Sequence, residues 1–142
     1  MTRISFLHGA GDRLQAAAAW LGKACRDGQR VLVYAPVEAD LERLDRLLWA
    51  QPSTGFTPHC NAGSVLAAET PIVLASRLDK PIHDGCLVNL SDEIPSGFGS
   101  FDHLVEIIST ADGDRIPGRE RFRFYRERGY PLEARDISGD PS

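Results

Sequence analysis

Three stretches of this 142-residue chain carry residue types at spacings that could do chemistry. The first is Gly9-Ala10-Gly11, directly after an apolar run. In a dinucleotide-binding fold, a G-x-G-x-x-G turn lets backbone amides approach a pyrophosphate at a helix N-terminus. Here Leu14 stands where the third glycine belongs, and the next apolar run ends in Ala35-Pro36 instead of an acidic ribose ligand. No G-K-[ST] is present to hold a triphosphate. A strand-to-helix turn that needs small residues accounts for these glycines better than a small nucleotide-binding enzyme does. The second set is the histidines and cysteines. His59 and Cys60 are neighbours, while His8, His83 and His103 are scattered and no spacing puts two ligands on one element. Neither a metal nor another cofactor is expected. Cys25, Cys60 and Cys86, an odd number without close pairs, fit buried thiols and not a disulfide framework. Asp92 and Glu93, being adjacent, point apart in most conformations, so a solvated loop is expected there instead of a shared-proton dyad, and no catalytic residue is assigned.

The third stretch is the basic segment that holds Arg119, Arg121, Phe122, Arg123, Phe124, Tyr125, Arg126 and Arg128. If it is a helix, at about 100° per residue, Arg119, Arg123 and Arg126 lie within roughly 60° of one another with Phe122 beside them, and Tyr125 turns toward the core. Like charges crowded on one face repel, so an anionic ligand would relieve the arrangement. The guanidinium fork suits carboxylates and phosphates, and Phe122 offers cover to an apolar or aromatic side chain. A merely solvated basic helix, with Glu120 and Glu127 in exposed pairs, fits the residues equally well.

Charge is uneven along the chain. Six arginines and two glutamates between residues 115 and 128 give a net +4, and since the whole chain carries −4, the remainder carries −8. An acidic body with one basic segment argues against a surface that tracks nucleic acid throughout. No apolar stretch approaches the roughly 20 residues of a membrane-spanning helix, and the start lacks the order of a signal peptide, so a cytoplasmic protein is expected.

The elements that must position these residues alternate. Apolar runs at residues 4–8, 30–35, 71–76 and 86–90 read as buried strands. Helical spacing follows Asp12, a suitable N-cap, and stops at Asp27-Gly28; a second helix is predicted over 38–49. Residues 101–108 are ambiguous in their first half and strand-like in their second. The last helix is predicted over 116–128, with Pro117 at a tolerated early position and Gly129 as its stop. Gly118 is expected to shorten it. An edge strand is expected at 130–132, because Pro131 is excluded from a central one. The pattern predicts an α/β class, a single three-layer domain over 1–137 with a mostly parallel, Rossmann-like sheet, followed by a disordered polar tail over 138–142.

The segment Arg119-Glu120-Arg121-Phe122-Arg123-x-Tyr125-Arg126-x-x-Gly129-Tyr130-x-Leu132 resembles the C-terminal signature of the chi subunit of bacterial DNA polymerase III holoenzyme. Leu48-Trp49-Ala50-Gln51-Pro52, Phe56-Thr57-Pro58-His59 and Leu87-Val88-Asn89-Leu90-Ser91, followed by Pro95 and Phe98, agree with that family and occur in its order. The resemblance implies an accessory subunit of a DNA-directed DNA polymerase, acting in DNA replication without catalysis of its own. It further implies attachment to the clamp loader through the psi subunit, and capture of the acidic C-terminal tail of single-stranded-DNA-binding protein, which ends in a Pro-Phe carboxylate. On this basis Arg119, Arg123 and Arg126 are expected to receive the tail's carboxylates and Phe122 its terminal Phe. The psi contact is assigned to Trp49, Pro52, Phe56 and Pro58, for which folding onto the core is an equal alternative. The rival functions are direct single-stranded nucleic-acid binding, with bases stacked on Phe122 and Phe124, and the nucleotide-binding enzyme considered above.

Overall fold

A computed structural model describes residues 1–50, 59–61, 70–78 and 85–139, positions 60 and 61 by their backbone alone. Alternation of strand and helix dominates: β1 (Arg3–Ala10), α1 (Arg13–Arg26), β2 (Val31–Tyr34), α2 (Glu38–Trp49), β3 (His59–Asn61), β4 (Ile72–Ala75), β5 (Cys86–Asn89), β6 (His103–Ser109), α3 (Asp112–Glu127) and β7 (Leu132–Asp136). Among the described residues the seven strands form one sheet in the order β3-β4-β2-β5-β6-β1-β7. Every pairing in it is parallel.

Parallel neighbours need crossovers, and the crossover helices cover both faces of the sheet. On one face Leu7, Val33, Val88 and Ile107 pack with Leu14 and Leu21 of α1 and Leu44 and Leu48 of α2. Because side chains alternate along a strand, Ile4, Phe6, Leu32, Leu87, Leu104 and Ile108 point the other way and pack with Tyr125 of α3. The three-layer α/β domain is thus what the alternating pattern implies.

Local signals act as read at several boundaries. The Asp12 carboxylate accepts from the Gln15 amide at 3.0 Å and also meets Arg43 of α2 at 2.7 Å, so one side chain caps α1 and ties it to its neighbour. The Arg43 guanidinium holds the Asp12 carboxyl below its ordinary range. Gly28 ends α1 with φ +79°.

Three expectations are corrected. Helix α3 begins at Asp112, a turn before 116, and Pro117 lies inside it. Ser109 makes this possible: its hydroxyl donates to Asp114 and accepts from the Ala111 amide at 3.2 Å, which organises the first turn ahead of the proline. Gly118 does not shorten the helix. It is buried, and a Cβ there would sit 2.9 Å from Ile108 Cδ1, so the missing side chain is what lets α3 settle onto β6. The edge strand starts at Leu132 and not at Tyr130. Pro131 contributes only its carbonyl, which accepts from the Ile4 amide at 2.8 Å, and the ladder donors begin after it. The sequence reading of a tail from residue 138 meets described residues only at Ser138 and Gly139; positions 140–142 lie outside them.

Candidate functional site

A groove of about 590 Å³ runs between α3 and the β1 and β7 edge of the sheet. Arg119, Phe122, Arg123 and Arg126 all line it, so the residues singled out by helical phase are brought together around one hollow. Its apolar part is built from Phe6, Phe122, Ile108 and Ala134. The Phe6 and Phe122 rings meet edge to face, with centroids 5.2 Å apart at 87°, an arrangement favoured by ring quadrupoles. Phe122 is half-buried, and the Arg126 guanidinium carbon lies 5.8 Å from its ring centroid. Among the described residues neither Arg119 nor Arg126 is paired with a carboxylate. Arg123 has a loose exposed pair with Glu120 at 3.6 Å. Such pairs contribute little and exchange readily.

Arg115 also lines the groove, one turn nearer the helix N-terminus, and the sequence reading missed it. The signal is there: seven residues before Phe122 is nearly two full turns, the same stripe. Placing the helix start at 116 hid it. Its exposed partner is Asp112, at 2.6 Å.

Two other arginines of the segment serve elsewhere. Arg121 is buried and pairs at 3.1 Å with Glu106 of β6, itself wholly inaccessible. Tyr125 is buried and donates to the same carboxylate oxygen at 2.6 Å. Burial first, and the Glu106 charge second, push the Tyr125 phenol well above its ordinary range. Arg128 sits 4.4 Å over Phe124, which packs against Phe98 and Tyr125. Phe122 and Phe124 are thus on opposite sides of α3 and offer no common platform for successive bases.

Arg13, at the start of α1, was not singled out in the sequence either. Its Nε donates to the Ile107 carbonyl at 2.7 Å and one Nη to the Ser91 carbonyl at 2.8 Å, fastening α1 to the ends of β5 and β6. Burial, then the Arg121 charge, lower its pKa from the ordinary arginine value.

The remaining candidates resolve structurally. Gly9 has φ +84°, and a Cβ there would lie 2.6 Å from Asp136 Oδ1; at Gly11 nothing lies within 4 Å. The first glycine is needed by the backbone and by the approach of β7, whereas the space beside the second is open. The His59 side chain is nearly inaccessible and meets Asp45 at 2.8 Å, with the Trp49 ring 5.5 Å away. Trp49 is 61% exposed. Pro52, Phe56 and Pro58 lie outside the described residues, so the aromatic and proline cluster is seen only at Trp49. Cys86 is buried and its thiol is pushed up to about 12, which makes it inert; Cys25 is half-buried. Among the described residues no three His, Cys, Asp or Glu side chains are grouped to hold a metal, and no helix is long and apolar enough to cross a membrane.

Comparison with known proteins adds the family. Residues 1–133 match the family model described as DNA polymerase III chi subunit, HolC. The chain belongs to that family. Among curated relatives, the DNA polymerase III subunit chi of Pseudomonas aeruginosa is 34% identical over 137 residues, 94% of this chain and 95% of the relative. Those of Haemophilus influenzae and Escherichia coli are 28% and 31% identical over 86% and 75% of this chain, and 82% and 74% of theirs. The chi-family match includes all of α3 and the first residues of β7, and so nearly all of the groove. A chi-family chain is an accessory component of the replicative polymerase, and DNA replication is its setting.

Proposed function

We propose that the groove captures the acidic C-terminal tail of single-stranded-DNA-binding protein. The observation that carries this reading is the convergence of Arg119, Arg123 and Arg126 on a hollow whose apolar part is the Phe6 and Phe122 pair. Carboxylates of an acidic tail meet guanidinium groups in charge-assisted hydrogen bonds of about 1.5–3 kcal/mol each, and a buried terminal Phe adds a similar amount. Arg115 extends the cationic row by a turn, toward a longer acidic stretch. Ordering the tail and immobilising it offset much of this gain, giving affinities on the order of micromolar.

The protein acts without catalysis of its own, in the cytoplasm, as the link between coated single-stranded DNA and the clamp loader. The clamp-loader side is reached through the psi subunit, a contact assigned to Trp49, Pro52, Phe56 and Pro58. An indole left 61% exposed at a helix end supports that assignment.

Calorimetry with three ligands tests the capture: a peptide copying the acidic tail, the same peptide lacking its final Phe, and a bare oligonucleotide. Binding is expected for the first alone. Equal affinity for both peptides removes the aromatic pocket from the account, and tight binding of the oligonucleotide transfers the function to direct nucleic-acid binding. Heat on adding nucleotides, lost in Gly11→Val, would revive the enzyme. For the psi contact, Trp49→Ala is expected to weaken co-purification with psi and leave peptide binding intact.

A further inference from the structure

We propose that Glu106, with Arg121 and Tyr125, is the positioning cluster that sets the rotation of α3 and so holds Arg119, Phe122 and Arg126 over the groove. The proposal rests on the reading of that groove as a peptide site. One carboxylate oxygen, Glu106 Oε2, accepts from Arg121 Nε at 3.1 Å, from the Tyr125 hydroxyl at 2.6 Å and from Asn89 Nδ2 at 3.0 Å. Asn89 is itself fixed, since its Nδ2 donates to the Glu93 carbonyl at 3.0 Å and its Oδ1 accepts from the Ser91 amide and hydroxyl at 3.0 and 2.7 Å. The sheet therefore holds α3 through a directional anchor that begins on β5, passes through β6 and ends on two residues one turn apart.

Phase makes the anchor matter. At about 100° per residue, Tyr125 and Arg121 project about 60° and 100° to one side of Phe122, while Arg126 and Arg119 project about 40° and 60° to the other. Fixing the first pair therefore fixes the second. The apolar and ring contacts of α3 with Phe6, Phe98 and Ile108 add to the hold but are weakly directional, whereas the hydrogen bonds to Glu106 select particular donor atoms. With a helix radius of about 5–6 Å, a 20° roll would move the side-chain rim by about 2 Å, more than the whole range of useful hydrogen-bond lengths.

The composition of the cluster favours orientation over stability. Among the described residues, Glu106 Oε1 and both Arg121 Nη atoms are buried with no hydrogen-bond partner. A buried ion pair left with three bare polar atoms is a poor stabiliser compared with apolar residues of the same volume, although removing one partner alone is costly. Specifying one rotational setting is the use such a pair retains.

The test is the triple variant Glu106→Met, Arg121→Leu, Tyr125→Phe, with Tyr125→Phe alone as the conservative member and Leu44→Ala, in the core on the other face of the sheet, as a control. The readouts are the urea midpoint, the ring-proton NMR shifts of Phe122 in the free protein, and affinity for the acidic-tail peptide. The triple variant is expected to unfold at the same or higher urea, with shifted or multiple Phe122 signals and affinity lowered on the order of tenfold, the worth of one charge-assisted bond. Tyr125→Phe is expected to move the same two readouts in the same direction by less. Leu44→Ala is expected to lower the urea midpoint and leave both unchanged. A triple variant with wild-type Phe122 shifts and affinity overturns the proposal, and if that variant does not fold, wild-type shifts in Tyr125→Phe overturn it. Absence of peptide binding by the unaltered protein defeats the functional reading instead; the Phe122 shifts then still decide the positioning role.

Discussion

The two sides of α3 use arginine for opposite ends. On the inward side, Arg121 is sealed against Glu106, beyond the reach of any ligand. On the groove side, Arg119 and Arg126 are exposed, Arg126 beside the Phe122 ring, and among the described residues no acid neutralises them. The residue type is the same, and the neighbours in sequence are the same. What differs is the angle around the helix axis, which decides whether a guanidinium meets a carboxylate of its own chain or one brought by a partner. A count of positive charge along the segment therefore overstates the surface available for binding.

Substitutions can break this contrast, and the largest effect is expected inside. Arg121→Ala leaves the Glu106 charge buried and unpaired, and a loss of about 3–5 kcal/mol is expected in urea unfolding. A loss below about 1 kcal/mol would mean that water reaches the carboxylate and that the two sides of α3 do not differ in this way. Next comes the seam between them. Gly118→Val forces a branched side chain onto Ile108, for which about 1–3 kcal/mol is expected from thermal or urea denaturation.

Outside, the pattern inverts. Arg119→Ala and Arg126→Ala should each change stability by no more than about 0.5 kcal/mol. Each is expected to weaken the tail peptide on the order of tenfold in calorimetry, with further weakening at raised salt. Arg123→Ala should weaken it only a few-fold, because Glu120 already competes for that guanidinium, and Glu120→Gln should tighten binding slightly.

The smallest expected effect concerns pH and lies away from α3. Burial, and then the nearby Arg3 charge, lower the pKa of His103, whose ring meets the Ser5 hydroxyl at 2.7 Å. An imidazole held neutral contributes stability that is fully present above the unfolded histidine value of about 6.5 and is lost as pH falls through the lower folded value. Denaturant midpoints measured from pH 8 down to 5 should show a decline that His103→Gln flattens.

Much of this was legible in the sequence, for identifiable reasons. Asp12 and Gly28 carry strong local signals, and the leucine stripe over 38–49 fixes α2 at the observed bounds. Helical phase alone brought Arg119, Phe122, Arg123 and Arg126 together, since a rigid helix preserves it. What escaped was set by tertiary partners. Asp112-Gly113-Asp114 looks like a turn and Pro117 like a helix start, so the extra turn and Arg115 were lost until Ser109 is seen organising the residues ahead of the proline. Glu106 lies inside an apolar run, where only strand alternation hints that it shares a face with Leu104 and Ile108. Gly118 shows its purpose only through the distance to Ile108. Of the four residues assigned to psi, only Trp49 falls in described structure.

The order of strands brings the two ends of the chain side by side. Phe6 comes from the first strand and Ala134 from the last, and these two strands are neighbours in the sheet. The groove thus draws its floor from both ends of the chain, and a change at either terminal strand reaches the same hollow.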